Sequence, residues 1–262
     1  MSKTAMMQDV RYARRKVQVP ASRSLHAVAL TSRDIQESRR LPPSALSETG
    51  AAEPYLDELV ARTVSVRRGA TLFKAGNPFM NLYAIRAGSC KSITVAPDGQ
   101  NQITAYHIEG DVIGVEAMFL GVHDATVVSL EDCELCVMPA ERVDDLCGRD
   151  ARFQRHLNGL LSQLLVSGRK SLLMLGRMRA EQRLAAFLLD FGERYATRGH
   201  SPFEFLLRMT REDIASHLGL THETVSRAFS RFHQDGLIHI HGRDVRLLDR
   251  DALRRLVETE PH

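Results

Sequence analysis

Apolar residues along the chain follow two different periods, and the change falls close to Ala151. From about residue 51 to 150, short runs rich in Val, Ile, Thr, Tyr and Phe alternate with turn signals. Short strands at such spacing are typical of a β-sandwich or a β-barrel. The turn Pro97-Asp98-Gly99 lies between two of these runs and predicts a β-hairpin.

Beyond Ala151, apolar residues recur at three- and four-residue steps, which predicts a long amphipathic helix over residues 151–180. The apolar stripe is broad, and no acidic residue occurs between Arg152 and Ala180. Pairing with the same helix of a second copy would bury such a stripe. The alternative is a helix buried within its own chain. The leucines expected at a dimer interface are Leu157, Leu161, Leu164, Leu165, Leu172 and Leu175.

The C-terminal part, residues 181–262, carries the pattern of a helix-turn-helix after a first helix over Glu181–Thr197. Thr210 is followed three residues later by an acid, which indicates a helix N-cap. Gly219 supplies the left-handed turn that a tight corner requires, and Thr221 caps a second helix. Helix, short glycine turn and helix form the helix-turn-helix signature. Two alternating runs on either side of a glycine turn near residue 242 then predict a β-hairpin wing.

The second helix of this motif carries the candidate base-reading residues. Its apolar positions lie on one side, so that the polar ones face outward. The N-terminal half of a recognition helix enters the major groove. There an arginine can bind guanine O6 and N7, and a glutamate can accept from the cytosine amine. The base-reading candidates are His222, Glu223, Ser226 and Arg227. Glu223 and Arg227 are four residues apart, so a plain surface ion pair is the alternative.

Phosphate contacts are expected from cationic and hydroxyl side chains around this helix. The candidates are Arg211, Thr221, Ser230, Arg231, Arg243 and Arg246, and solvated surface charge is the alternative for each arginine. A further basic segment occupies the first 40 residues, with nine Lys or Arg against three acids. We expect residues 1–50 to form a solvated, poorly ordered arm; contact of this arm with DNA phosphate or membrane lipid is the alternative.

Composition narrows the remaining classes of function. A chain of 262 residues suggests two domains. No apolar run approaches the ~18 residues that cross a bilayer, and residues 1–20 do not form a secretory signal. We therefore expect a cytoplasmic protein without membrane contact. The scattered histidines show no catalytic spacing, so an enzyme is not expected.

Four cysteines are present, and in the cytoplasm they are expected as free thiols. These are Cys90, Cys133, Cys136 and Cys147. Cys133 and Cys136 have the spacing of half a metal site, but residues three apart on a strand point to opposite faces. A zinc site needs four converging ligands, so no metal site is predicted.

Several motifs together resemble the CRP/FNR family of bacterial transcription regulators, in particular its FNR branch, from about Leu56 to Leu256. They are Gly69–Gly76, Leu82–Gly88, Glu181–Phe187, Met209–Ile214 and Glu223–Arg227. The resemblance implies an α+β fold. It consists of a cyclic-nucleotide-binding-type β jelly roll over 51–150, a dimerisation helix over 151–180 and a winged helix-turn-helix over 181–262. It also implies a homodimer that reads a TTGAT-like palindrome, recruits RNA polymerase and controls genes of low-oxygen or nitrogen-oxide metabolism.

Two departures from the family concern the signal. Oxygen-sensing members hold a [4Fe–4S] cluster with three N-terminal cysteines and one in the β-domain. Cys136 matches the last of these, but no cysteine precedes Cys90, so neither this cluster nor another cofactor is expected. Residues 114–126 lack the arginine that holds a cyclic nucleotide, and Asp124 would repel a phosphate. A regulator gated by cyclic nucleotide, haem or nitric oxide in the β-barrel is the alternative.

Overall fold

The computed structural model describes residues 55–259. The basic arm predicted over residues 1–50 lies outside this range. Within it, the chain forms a β jelly roll, a long helix and a winged helix-turn-helix, which confirms the predicted α+β fold. No helix in the described range is long and apolar enough to cross a bilayer.

Eight strands and three short helices make up the N-terminal domain of the described chain. The strands are β1 (Arg62–Val66), β2 (Thr71–Phe73), β3 (Asn81–Ala87), β4 (Ser89–Val95), β5 (Asn101–Ile108), β6 (Val112–Ile113), β7 (Thr126–Ser129) and β8 (Cys133–Pro139); the helices are α1 (Leu56–Leu59), α2 (Ala117–Leu120) and α3 (Ala140–Arg149). The strands form two antiparallel sheets in the orders β1-β8-β3-β6 and β2-β7-β4-β5. The predicted hairpin is confirmed as β4 and β5.

Side chains such as Ile85 and Leu135 fill the space between the two sheets. The outer face of the β1-β8-β3-β6 sheet is covered by a second apolar group, which includes Val143 of α3. This sheet is therefore buried on both faces. Cys133 belongs to the inner group and Cys136 to the outer one, which confirms that they point to opposite faces.

Five helices and three strands make up the rest of the described chain. They are α4 (Ala151–Arg177), α5 (Ala180–Thr197), β9 (Glu204–Leu206), α6 (Arg211–Leu218), α7 (His222–Gln234), β10 (Ile238–His241), β11 (Asp244–Leu247) and α8 (Arg250–Glu258). The Asp150 carboxylate caps α4 and accepts from the backbone N–H of Arg152 at 2.7 Å. The predicted wing is confirmed as β10 and β11, and β9 pairs with β11 to extend it to three strands.

The edge strand β5 of the jelly roll packs against α6. The backbone N–H of Ile103 donates to Ser216 Oγ at 3.0 Å, and His217 Nδ1 donates to the Ile103 carbonyl at 3.2 Å. Lys91 Nζ binds Asp213 Oδ1 at 2.6 Å. An edge strand leaves backbone N–H and C=O groups without partners from a neighbouring strand. Here α6 supplies partners for both backbone groups of Ile103.

Apolar and charged contacts continue this interface beyond α6. Tyr106 of β5 packs edge-on against Phe187 and His217, and it belongs to the core of the C-terminal domain. Arg194 of α5 donates to the Tyr106 carbonyl at 2.9 Å and to Asp111 at 2.6 Å. The two domains therefore share one continuous core and are not joined by a flexible linker alone.

Protonation of His107 is expected to destabilise the fold at mildly acidic pH. Burial lowers the pKa of His107 from 6.5 to about 4; the charge of Asp111 raises this pKa by a smaller amount, and the charge of Arg194 lowers it further. As the pH falls from 6.5 towards 4, the unfolded chain binds a proton that the native state lacks, so the free energy of unfolding falls. His107→Gln should reduce this slope by about 1.4 kcal/mol per pH unit.

Urea unfolding of both proteins between pH 4 and 7 measures this slope. Ser92 Oγ lies 2.7 Å from His107 Nε2, and a glutamine amide can keep a hydrogen bond there. Parallel curves of unfolding free energy against pH for the two proteins would contradict the assignment of a neutral imidazole.

Candidate nucleic-acid interface

Local caps fix both helices of the helix-turn-helix. Thr210 Oγ1 accepts from the Asp213 N–H at 3.0 Å, and the Asp213 carboxylate accepts from the Thr210 N–H at 3.0 Å. Gly219 ends α6 with φ at +61°, and Thr221 Oγ1 accepts from the Thr224 N–H at 3.2 Å. The predicted helix starts and the predicted glycine corner are thus confirmed.

The buried side of α7 determines which side chains face outward. Four apolar residues hold this helix on the domain core: Val225, Ala228, Phe229 and Phe232. The opposite side forms a surface that we call the reading face, defined by His222, Glu223, Ser226, Arg227 and Ser230. Ser226 is half-buried and the other four are exposed. All four predicted base-reading residues therefore lie together on the solvent side.

Glu223 is held in its ionised form at the start of α7. Its own backbone N–H lowers the pKa of the carboxyl group, followed by the Thr221 hydroxyl and the charges of His222 and Arg227. Glu223 and Arg227 are four residues apart but form no ion pair among residues 55–259. The ion pair at this spacing joins Arg231 to Asp235 at 3.6 Å. The carboxylate of Glu223 is thus an exposed hydrogen-bond acceptor next to an exposed guanidinium.

The candidate phosphate contacts have unequal surroundings. Arg231 binds Glu181 at 2.8 Å, and Arg246 binds Glu204. Both pairs are exposed, and such pairs contribute only about 0–1 kcal/mol, so that a phosphate can replace the carboxylate. Arg243 is half-buried in the turn of the wing. Thr221 and Ser230 are exposed at α7.

Arg211 differs from the other candidates because its side chain packs on the recognition helix. Its guanidinium carbon lies 3.5 Å from the centre of the Phe229 ring. Burial lowers the pKa of this guanidinium to about 10. The sequence predicted a phosphate contact, and the structure adds a packing contact that supports α7.

An apolar surface runs along α4, and we call it the α4 face. Its residues are Leu161, Leu164, Leu165, Val166, Leu172, Leu173 and Leu175, with exposed fractions from 37% to 73%. It includes five of the six leucines predicted at a dimer interface. Leu157, the sixth predicted leucine, is only 7% exposed and packs among the side chains that cover the jelly-roll sheet, which leaves little of its surface for a partner. The first turns of α4 are thus covered by their own domain.

The β-domain offers a poor fit to the iron–sulfur cluster of oxygen-sensing relatives. Cys136 is buried in the apolar group under α3, and burial raises the pKa of its thiol. In that group only Cys147 is a second thiol, and no cysteine precedes Cys90 in the sequence. A cubane cluster needs four ligands, so these residues do not fit it. Within residues 55–259, no three His, Cys, Asp or Glu side chains are grouped to hold a metal ion.

Sequence reasoning missed the residues that fix the reading face from other elements. Lys91 of β4 and Arg183 of α5 both bind α6, at Asp213 and at the Leu218 carbonyl respectively. Neither contact has a local signal, because each joins residues far apart in the chain. Arg183 lies within a motif that carried the family resemblance, but its partners are visible only in the structure.

Comparisons with known proteins agree with this architecture. The family model described as "Cyclic nucleotide-binding domain" matches residues 63–150, and "Crp-like helix-turn-helix domain" matches residues 182–256. The chain belongs to the CRP/FNR family of transcription regulators, whose members bind DNA through this helix-turn-helix.

Individual relatives place it in the FNR branch. The chain is 43% identical to the transcriptional regulatory protein Btr of Bordetella pertussis, over 78% of this chain and 85% of Btr. It is 38% identical to the fumarate and nitrate reduction regulatory protein of Escherichia coli, over 87% of this chain and 90% of that protein. The structure of FixK2 from Bradyrhizobium japonicum superimposes with a TM-score of 0.70 at 32% identity, over 76% and 98% of the two chains.

The two roles of Arg211 predict different results for Arg211→Gln. If stacking on Phe229 dominates, the free energy of unfolding falls by about 1–2 kcal/mol and the salt dependence of DNA affinity stays unchanged. We expect this outcome from urea unfolding and from binding titrations at several salt concentrations. Arg243→Gln is the control, for which we expect little change in stability. A salt slope smaller by about 0.9 for Arg211→Gln, with normal stability, would instead show a phosphate contact.

Proposed function

We propose that the protein binds, as a homodimer, a palindrome of the form TTGAT-N4-ATCAA and recruits RNA polymerase to nearby promoters. The observation that carries this proposal is the reading face, which presents an ionised carboxylate and, on the first two turns of α7, a guanidinium that forms no ion pair with residues 55–259. These turns are the part of a recognition helix that reaches base edges.

Each reading-face residue has a chemical counterpart in the half-site. Arg227 can donate two parallel hydrogen bonds to guanine O6 and N7. Glu223 can accept a hydrogen bond from the exocyclic amine of a cytosine on the opposite strand. Ser226 and His222 can bind neighbouring base edges. Phosphate contacts to the DNA backbone would come from Thr221, Ser230, Arg231, Arg243 and Arg246, while Arg211 supports α7 by stacking on Phe229.

The α4 face supports the homodimer. Several contiguous leucines exposed on one helix form the kind of apolar surface that proteins cover by association. A two-fold axis along α4 would place two reading faces on one side of the dimer, as a palindromic site requires. The dimer-interface residues are then Leu161, Leu164, Leu165, Leu172 and Leu175.

The physiological part of the proposal follows the relatives. The Escherichia coli relative is named for fumarate and nitrate reduction, so we assign this chain to the control of low-oxygen or nitrogen-oxide-related genes. The cysteine set does not fit a [4Fe–4S] cluster, so DNA binding should not depend on oxygen through such a cluster.

Purification with and without oxygen, followed by binding to the TTGAT-N4-ATCAA duplex, tests the proposal. We expect equal affinity under both atmospheres and at least a hundredfold preference over a scrambled duplex, in line with about 10³–10⁷ for specific binders. Loss of binding in air would contradict the cluster-free mechanism. A chain without preference between the two duplexes would contradict the assigned DNA site.

Replacement of the reading guanidinium tests the base assignment. Arg227→Ala should lose about 1–3 kcal/mol of discrimination at the guanine of each half-site, since two donors to O6 and N7 disappear. The measurement is the affinity ratio between the palindrome and a duplex with guanine replaced by adenine. Arg231→Ala is the matched control and should weaken binding to both duplexes alike. A variant at Arg227 that still rejects adenine would overturn the assignment.

Charges on the α4 face should separate the two copies. Leu165→Glu together with Leu172→Glu places carboxylates on residues that are 65% and 73% exposed, so that the monomer stays folded while the dimer is disfavoured. Sedimentation velocity should show a monomer with lost palindrome binding. Leu248→Glu, at a leucine 54% exposed in the DNA-binding domain, should remain a dimer. A dimeric double variant would show that another surface joins the copies.

A further inference from the structure

The side chain of Arg183 lies at the joint between α4 and the helix-turn-helix. Its Nε donates to the Met178 carbonyl at 2.9 Å, and its Nη2 donates to the Leu175 carbonyl at 2.8 Å. Its Nη1 donates to the Leu218 carbonyl at 2.9 Å and lies 3.4 Å from the Gly219 carbonyl. One guanidinium therefore connects the end of α4 to the end of α6.

All four carbonyl groups lie where helices end. Met178 is the C-cap of α4 and Gly219 is the C-cap of α6. Carbonyls in the last turn of a helix lack backbone partners and carry the negative end of the helix dipole. A guanidinium has five N–H donors in one rigid plane, so it can satisfy several such carbonyls in a fixed mutual arrangement.

Met174 and Met178 pack on the core of the C-terminal domain at this joint. Only Met178 and Arg179 separate α4 from α5. The corner glycine approaches the same place, since a Cβ on Gly219 would lie 3.4 Å from Leu175 Cδ2 and 3.5 Å from Arg183 Nη1. The turn of the helix-turn-helix is thus seated directly on the last turn of α4.

We propose that Arg183 is a positioning residue for DNA recognition, which fixes the angle between α4 and α7 and so determines the half-site spacing that a dimer accepts. The inference rests on the proposed function, because it requires pairing through the α4 face and base reading by α7. Each added base pair moves a half-site by about 3.4 Å and about a tenth of a turn. With a rigid joint, the dimer should bind a duplex of altered spacing more weakly. With a flexible joint, the two reading faces can move to match the new spacing.

A distance measurement within one chain tests the joint without DNA. Spin labels are attached at Ser162→Cys on α4 and Ser230→Cys on α7 in a Cys147→Ser background, where the other cysteines are buried. Labelled chains are diluted with unlabelled ones, and pulsed electron spin resonance gives the distance distribution. Unmodified Arg183 should give a narrow distribution, and Arg183→Lys and Arg183→Gln a broader one.

Arg177→Gln is the matched control, because it removes the same charge from an exposed residue near the same joint. Its distribution should stay narrow. Arg183→Lys keeps the charge but not the planar donor set, so it separates geometry from electrostatics. Circular dichroism confirms that each variant is folded. A folded Arg183→Lys protein with a narrow distribution would overturn the proposal.

Duplexes with three, four or five base pairs between the half-sites provide the functional readout. The protein with Arg183 should prefer the N4 duplex by about tenfold or more, whereas Arg183→Lys should bind all three within about threefold. An unchanged preference in the Lys variant would refute the role in spacing. If the unmodified protein binds no palindrome selectively, the proposed function fails, while the distance measurement still decides whether Arg183 fixes the joint.

Discussion

The first turn of α5 is the constraint on which the DNA-binding domain depends. Glu181 binds Arg231 of α7, and Gln182 donates to the Leu256 carbonyl of α8 at 3.1 Å. Arg183 joins the ends of α4 and α6, and Leu184 is fully buried in the core. Consecutive residues of an α-helix point about 100° apart, so four in a row reach all sides of the helix. One turn therefore contacts the ends of α4 and α6 as well as α7 and α8.

Local signals explain why the reading helix could be predicted from the sequence. The Thr210 cap, the Gly219 corner and the Thr221 cap act between residues close in the chain, and the apolar positions of α7 repeat with the helix period. Such features depend little on the rest of the fold. The helices α3 and α8 were not predicted. Both are short and contain few apolar residues, so that Val143 and Leu146 in α3 and Leu253 in α8 were too few to be recognised as a helical pattern.

Contacts between residues far apart in the chain could not be predicted from such local signals. The period of α4 showed which side is apolar, but not that the jelly-roll sheet covers Leu157 while Leu172 stays exposed. The same holds for the arginines. Arg211 stacks on Phe229, whereas Arg243 lies in the turn of the wing. Residue type gives the available chemistry, and only the packed structure decides which partner each side chain meets.

The packing between β5 and α6 determines how the two domains influence each other. α7 is seated on α6, and α6 is held to the jelly roll by Lys91, by the backbone of Ile103 and by Tyr106. A displacement of β5 therefore moves α6 directly, because close-packed groups transmit shifts that a flexible linker would absorb. Because Arg183 holds the end of α6 to the end of α4, a displacement of α6 also acts on that joint. The jelly roll can thus act on the reading face through α6.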